Sequence, residues 1–127
     1  MLYTGIIMTS NINQEIIDMR VAGQLIAHKR MGQSAFERLV PVFLEEAHML
    51  VEQMRCAVAA SDDEGLRLTA HKLKGSASVI GAAEVRALSQ SIMAATERRE
   101  RSGLELIQGL DTALDRFREA ADMLNAS

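Results

Sequence analysis

The sequence has little of several residues on which other folds depend. It contains one cysteine, Cys56, one proline, no tryptophan, and only four aromatic residues, one tyrosine and three phenylalanines. A single cysteine excludes an internal disulfide framework and a multi-thiolate zinc site, and it fits a reducing, cytoplasmic setting. We expect Cys56 to pack as a small apolar residue. Leu, Ile, Val, Met and Ala must build the core, which favours helices over sheets.

Long apolar runs and a strong charge of one sign are also missing. No run approaches the roughly 18 residues that a membrane span requires, so no transmembrane segment is predicted. The net charge is −3 with acids and bases interspersed, so the sequence offers no basic surface for nucleic acid. No two of the three histidines lie four residues apart on one helix, and no metal site is predicted.

The apolar pattern indicates one helical domain. Residues 1–12 are expected to be a disordered lead-in rather than a signal peptide, and residues 13–127 to form the domain. An amphipathic segment over residues 14–29 carries apolar residues on two faces, which predicts a helix lying across other helices. Capping-box sequences, in which a serine precedes a glutamate by three residues, then mark three helix starts. These serines are Ser34, Ser61 and Ser102.

Gly81 breaks the apolar pattern between the second and third starts and divides the chain into four long helices. Connections of two to four residues make successive helices antiparallel neighbours. The sequence therefore predicts an all-α fold, an up-down antiparallel four-helix bundle with an additional short N-terminal helix packed across it. Pro41 removes a backbone donor and predicts a bend over Glu37–Pro41. A bundle that satisfies its own apolar stripes is expected to be a monomer.

The second of these four helices displays a histidine. At about 100° per residue, its apolar members fall on one stripe, with His71 roughly 140° and Gly75 about 180° from the middle of that stripe. His71 is therefore predicted to point to water while the helix is anchored from behind. The stripe consists of Leu66, Ala70, Leu73, Ala77 and Ile80.

The residues beside His71 suit phosphoryl chemistry. A neutral imidazole has a free nitrogen lone pair and can form a phosphoramidate. Lys74, one turn away, would offset the negative charge of the transferred group. Gly75 costs about 1 kcal/mol relative to alanine in an exposed helix, and we interpret it as space for phosphoryl oxygens and a close partner surface. Ser78 can donate a hydrogen bond.

Apolar side chains on the same face indicate a docking surface. Leu68 and Val79 point away from the core stripe and bracket His71 along the helix, with Arg67 on the shoulder beside it. Exposed apolar residues around a reactive group are typical of a surface that binds another protein. The alternative is that the N-terminal helix buries Leu68 and Val79.

The run His-Lys-Leu-Lys-Gly-Ser-Ala at residues 71–77, followed by Gly81, resembles the histidine-containing phosphotransfer (HPt) domain. The resemblance covers roughly residues 34–124. It implies a stand-alone carrier, rather than an enzyme, in a two-component phosphorelay. By this likeness His71 accepts a phosphoryl group, through Nε2, from the phospho-aspartate of one receiver domain and passes it to another. Lys74 and Gly75 are implied as its supporting neighbours.

The resemblance also implies the partners. These are response-regulator receiver domains, one of them on a hybrid histidine kinase, and the receiver brings the Mg²⁺ and the acidic pocket. No cofactor or metal is therefore expected on this chain. The family pattern commonly has an acidic or amide residue near Met93, where this sequence departs from it. Gln90 is the substitute candidate for orienting the imidazole.

Two other functions are consistent with a helical bundle. One is an interaction module that binds a regulator protein without being phosphorylated. The other is the dimerisation and phosphoacceptor region of a histidine kinase. Lys72 disfavours the latter, because those motifs place an acidic residue directly after the histidine.

Overall fold

A computed structural model describes residues 16–126 of the chain. The lead-in predicted at residues 1–12 lies outside the described residues, as does the beginning of the helix predicted over residues 14–29. The elements in chain order are α1 (Met19–Ala27), β1 (Lys29–Arg30), β2 (Gln33–Ser34), α2 (Ala35–Ala59), α3 (Asp63–Ile80), α4 (Ala83–Glu97) and α5 (Gly103–Asn125).

The four long helices close a ring around one core. Helix α3 packs on α2 and α4, and α5 packs on α4 and α2, so that α5 lies diagonally across from α3. Helix α1 packs against α2 and α3. The predicted all-α bundle with an N-terminal helix packed on it is therefore confirmed.

The core is mainly aliphatic and contains a cluster of three phenylalanines. The ring of Phe117 on α5 meets the rings of Phe36 and Phe43 on α2 edge-on, with centroids 6.3 and 5.3 Å apart. On α3, all five members of the predicted stripe are buried. Since this stripe faces the core, the opposite side of α3 faces solvent. This arrangement sets the direction in which His71 points.

Helix starts agree with the capping predictions only in part. The Ser34 hydroxyl accepts a hydrogen bond from the Glu37 backbone N–H at 3.0 Å, as predicted. The prediction for Ser61 is wrong, because Asp62 caps α3 and its carboxylate accepts from the Gly65 N–H at 2.9 Å. Ser61 has a φ of 55° and belongs to the turn before the helix. Ser102 occupies the cap position of α5 but makes no side-chain capping bond.

A small β-hairpin between α1 and α2 was not predicted. Lys29 pairs with Ser34 and Arg30 with Gln33 in antiparallel register. The two residues of the turn, Met31 and Gly32, have φ values of 55° and 84°. Positive φ at both positions is the type I′ turn that matches the twist of a two-residue hairpin. The hairpin ends α1 at Ala27, two residues before the predicted end.

Gly81 ends α3, as predicted, and also contacts the N-terminal segment. Its φ of 82° is left-handed, and its N–H bonds the carbonyl oxygen of Ala77. Its own carbonyl oxygen accepts from the Asp18 N–H at 2.7 Å. A Cβ added at Gly81 would lie 2.9 Å from the Asp18 carbonyl oxygen. Glycine is therefore required here both for the turn and for the close approach of the chain before α1.

Two further expectations concern α2. Cys56 is exposed, so the prediction that it packs as a small apolar residue is wrong. It lies outside the apolar stripe of α2, which passes through Met54 and Ala57. Helix α2 continues through Pro41 without interruption, and the bend over Glu37–Pro41 stays a prediction.

Candidate functional site

His71 lies near the middle of α3 on its outward face. Its side chain is exposed, whereas Ala70 and Leu73 on either side of it are fully buried. Within residues 16–126, the imidazole makes no hydrogen bond. Both ring nitrogens therefore remain open to a partner that approaches from solvent.

The helix surface next to the ring is bare at Gly75. A Cβ built there would have no heavy atom within 4 Å beyond its own stretch of helix. This differs from Gly65, where a Cβ would collide with the Asp62 carboxylate. Packing inside the fold therefore does not require a glycine at position 75. The open space lies on the solvent side, where an approaching group would meet the helix backbone.

Lys74 reaches across to α4 instead of standing free in solvent. Its Nζ donates a hydrogen bond to Oε1 of Gln90 at 2.6 Å. The Ser78 hydroxyl donates to the backbone carbonyl oxygen of Lys74 at 2.8 Å, which is a bond within its own helix. Gln90, the candidate for orienting the imidazole, thus contacts the lysine, and its role toward His71 stays a prediction.

The register between α3 and α4 explains this pairing. In two antiparallel helices, a step forward along one helix corresponds to a step back along the other. With Lys74 opposite Gln90, one turn back along α3 and one turn on along α4 bring His71 opposite Met93. Met93 is half-buried and packs against the core. The side chain level with the imidazole is thus the Met93 thioether, and the Gln90 amide lies one turn away along α4.

Arg67, one turn before His71, is paired within its own helix. Its Nε and Nη2 donate to the two carboxylate oxygens of Glu64 at 3.1 and 2.7 Å. This hydrogen bonding, followed by the charges of Glu64 and Glu97, raises the pKa of Arg67. The same hydrogen bond lowers the pKa of Glu64. Arg67 therefore stands beside His71 as a cation whose charge is partly offset.

Exposed apolar side chains lie on α3, before and after His71 along the helix, and on the neighbouring helix α2. The side chains of Leu68 and Val79 are 53% and 67% exposed, so the alternative that α1 buries them is wrong. On α2, Val42 and Met49 are exposed and line a shallow open groove together with Lys72 of α3. We call the four residues Val42, Met49, Leu68 and Val79 the apolar flank.

The α2 half of the apolar flank was not predicted from the sequence. Val42 and Met49 fall outside the stripe by which α2 contacts the core. The available signal in the sequence was that both residues are apolar and yet lie off that stripe. A hydrogen bond between α3 and α2 was also not predicted. In it the Ser76 hydroxyl donates to the Glu46 carboxylate.

The described residues contain neither a cluster of metal-ligating side chains nor a helix that could span a membrane. Within residues 16–126, no three His, Cys, Asp or Glu side chains are grouped so that they could hold a metal ion. None of the helices in this part of the chain is both long and apolar enough to cross a membrane.

Comparison with known proteins gives two matches in sequence. The family model of the Hpt domain matches residues 38–120, which include His71 and all the residues around it described above. Multistep phosphorelay regulator 1 of Schizosaccharomyces pombe is 25% identical over 114 residues, which are 89% of this chain and 39% of that protein. The chain thus aligns with well under half the length of this relative. No solved structure gives a significant match. Since the family model covers most of the chain, the chain belongs to the Hpt domain family.

Proposed function

We propose that the chain is a phosphoryl carrier of a two-component phosphorelay, with His71 as the residue that is phosphorylated. The observation that carries the proposal is an exposed imidazole without a hydrogen bond in the described fold, inside the region that matches the Hpt family model. A relative that is named a phosphorelay regulator supports it. The donor and the acceptor in this proposal are receiver domains of response regulators, one of them on a hybrid histidine kinase.

The transfer is a substitution at phosphorus. The lone pair of the unprotonated Nε2 of neutral His71 attacks the phosphorus atom of an aspartyl phosphate, and an N–P bond forms as the P–O bond to the aspartate breaks. The electron pair of that bond stays on the aspartate carboxylate. The proton on Nδ1 remains on the ring or passes to water. Transfer to the next receiver reverses these steps with a different aspartate.

The neighbours of His71 support this chemistry by charge and by space. Lys74 brings a cation to the side of the ring that faces α4, where it reduces the repulsion between phosphoryl oxygens and an acidic partner. Gly75 leaves the helix surface open beside the ring, so that partner atoms can come close to the backbone. The Ser78 hydroxyl, already bonded to a backbone carbonyl, keeps its lone pairs for a donor on the partner.

In this proposal the partner supplies the rest of the catalytic machinery. The receiver contributes Mg²⁺ and an acidic pocket, so the carrier provides a nucleophile and a docking surface without an ATP site or a metal of its own. Docking involves Arg67, Leu68 and Val79. We further propose that the protein acts in the cytoplasm as a monomer.

The test is phosphotransfer from a purified receiver carrying labelled phosphate. We expect the wild-type chain to acquire acid-labile label and the His71→Gln variant to acquire none. His48→Gln is the matched control, because His48 is also an exposed helical histidine, on α2. Failure of the wild-type chain to take up label from every receiver that binds it would refute the carrier function.

The alternative function is an interaction module that binds a regulator protein without being phosphorylated. The exposed apolar flank is the observation that favours it, since such a surface suits protein binding whatever the chemistry at His71. The two functions differ in one result. In the alternative, the His71→Gln variant binds the receiver as the wild-type chain does, and neither the variant nor the wild-type chain acquires label from it.

A further inference from the structure

The bond between Lys74 and Gln90 is a side-chain link between α3 and α4 within one helical turn of the imidazole. The ammonium nitrogen lies 2.6 Å from the amide oxygen. Lys74 is half-buried, whereas Gln90 is exposed, so the bond lies at the solvent edge of the seam between the helices. A lysine side chain has four rotatable bonds and loses much rotamer freedom when its head is held in one place. An isolated lysine on this face would sample many positions.

Gln90 has no other hydrogen-bonding partner within residues 16–126. The register between the helices places it one turn away from the level of the imidazole, where Met93 stands. An ammonium group has three N–H donors, and the bond to Gln90 occupies one of them. Two donors therefore remain for oxygens of a phosphoryl group on His71.

We propose that Gln90 is a positioning residue that acts through Lys74, holding its ammonium group beside the phosphorylation site before the partner arrives. This inference rests on the proposed function. By restricting the lysine in advance, Gln90 reduces the ordering that must accompany transfer. Its contribution therefore depends entirely on the presence of Lys74. A residue that oriented the imidazole would act whether or not the lysine was there.

A double-mutant cycle separates these roles. Gln90→Met keeps the length of the side chain and removes the acceptor. We expect this variant to slow phosphotransfer about fivefold, the effect of losing one solvent-exposed hydrogen bond of ordinary strength. In a Lys74→Ala background the same change should alter the rate less than about 1.5-fold, well within the additivity error of such cycles. Equal slowing in both backgrounds, or no slowing in the wild-type background, would overturn the inference.

A second measurement does not depend on transfer. Nuclear magnetic resonance relaxation of the Lys74 ε-methylene reports the mobility of that side chain. We expect greater mobility in Gln90→Met and wild-type mobility in Gln90→Glu, which restores an acceptor at the same length. Gln108→Met is the matched control, because Gln108 is an exposed glutamine on α5, across the bundle from α3. Equal mobility of Lys74 in wild type and in Gln90→Met would refute the pairing.

The two experiments also distinguish failure of this inference from failure of the proposed function. A wild-type chain that accepts label, together with a Gln90→Met variant that transfers at the wild-type rate, overturns the inference alone. A wild-type chain that accepts no label from any receiver overturns the carrier function and with it the role of Gln90 in transfer. The mobility of Lys74 then still decides whether the pair exists.

Discussion

The backbone N–H of Asp18 donates to the carbonyl oxygen of Gly81 at 2.7 Å, which attaches the chain before α1 to the turn between α3 and α4. Ile17 and Ala82 form an isolated antiparallel bridge at the same place. The N-terminal segment is thus held at one end of the helix that carries His71. Among the described residues, none covers the outward face of that helix at His71, which is exposed.

Replacing Gly81 with alanine should destabilise the fold. The left-handed φ of 82° penalises any Cβ, and the added atom would lie 2.9 Å from the Asp18 carbonyl oxygen. We expect Gly81→Ala to lower the free energy of unfolding by about 2 kcal/mol or more, measured by urea denaturation. Gly23→Ala is the control, because a Cβ built at Gly23 has no heavy atom within 4 Å beyond its own stretch of helix. Equal stability of Gly81→Ala and wild type would contradict the described contact.

Substitutions at Gly75 should separate stability from activity. Position 75 is helical and open, so Gly75→Ala should raise the free energy of unfolding by up to about 1 kcal/mol. Gly75→Gln also restores a good helix former, but its side chain occupies the space beside His71. We expect it to fold and to transfer phosphate at least tenfold more slowly, since small misplacements of reacting groups have effects of that size. Transfer at the wild-type rate would refute the close-approach argument.

The cap of α3 provides a test of the local structure before the site. Asp62→Ala removes the carboxylate that accepts the Gly65 N–H, and we expect a loss of about 1 kcal/mol in the free energy of unfolding. Ser61→Ala should change it by no more than a few tenths of a kcal/mol, because the Ser61 hydroxyl makes no capping bond. A larger loss for Ser61→Ala than for Asp62→Ala would show that the hydroxyl is the cap.

The apolar flank should contribute to the affinity for a receiver. Leu68→Ser removes an exposed apolar side chain one turn before His71, and we expect it to raise the receiver Kd about five- to tenfold by isothermal calorimetry. Leu104→Ser is the matched control, since Leu104 is 52% exposed, compared with 53% for Leu68, and lies on α5. Equal weakening by the two variants would place docking elsewhere on the bundle.

Periodicity was sufficient to predict the face of α3. All five stripe residues are buried, because in a helix of 3.6 residues per turn the sequence alone decides which residues share a side. His71, Gly75, Leu68 and Val79 were therefore correctly predicted to face away from the core. The break at Gly81 followed from a local rule, since glycine is the residue that most readily adopts the left-handed conformation after a helix.

Properties that depend on the relation between elements were not predictable in this way. The partner of Gln90 is set by the register of α3 against α4, which depends on the geometry of the turn through Gly81 and Ala82. The hairpin strands have two residues each, too few to show an alternating pattern. At the start of α3, serine and aspartate are both good caps, and the turn conformation of Ser61 decides between them.

The absence of a hydrogen bond on the imidazole also bears on the rate of association. Since His71 faces solvent and its imidazole makes no hydrogen bond within residues 16–126, no bond to this part of the chain has to break before a partner meets the ring. Association should then proceed at the rate of ordinary protein docking, about 10⁵–10⁷ M⁻¹s⁻¹. Charge on the partner can raise this rate in low salt. The lifetime of each complex is then the quantity by which one receiver is distinguished from another.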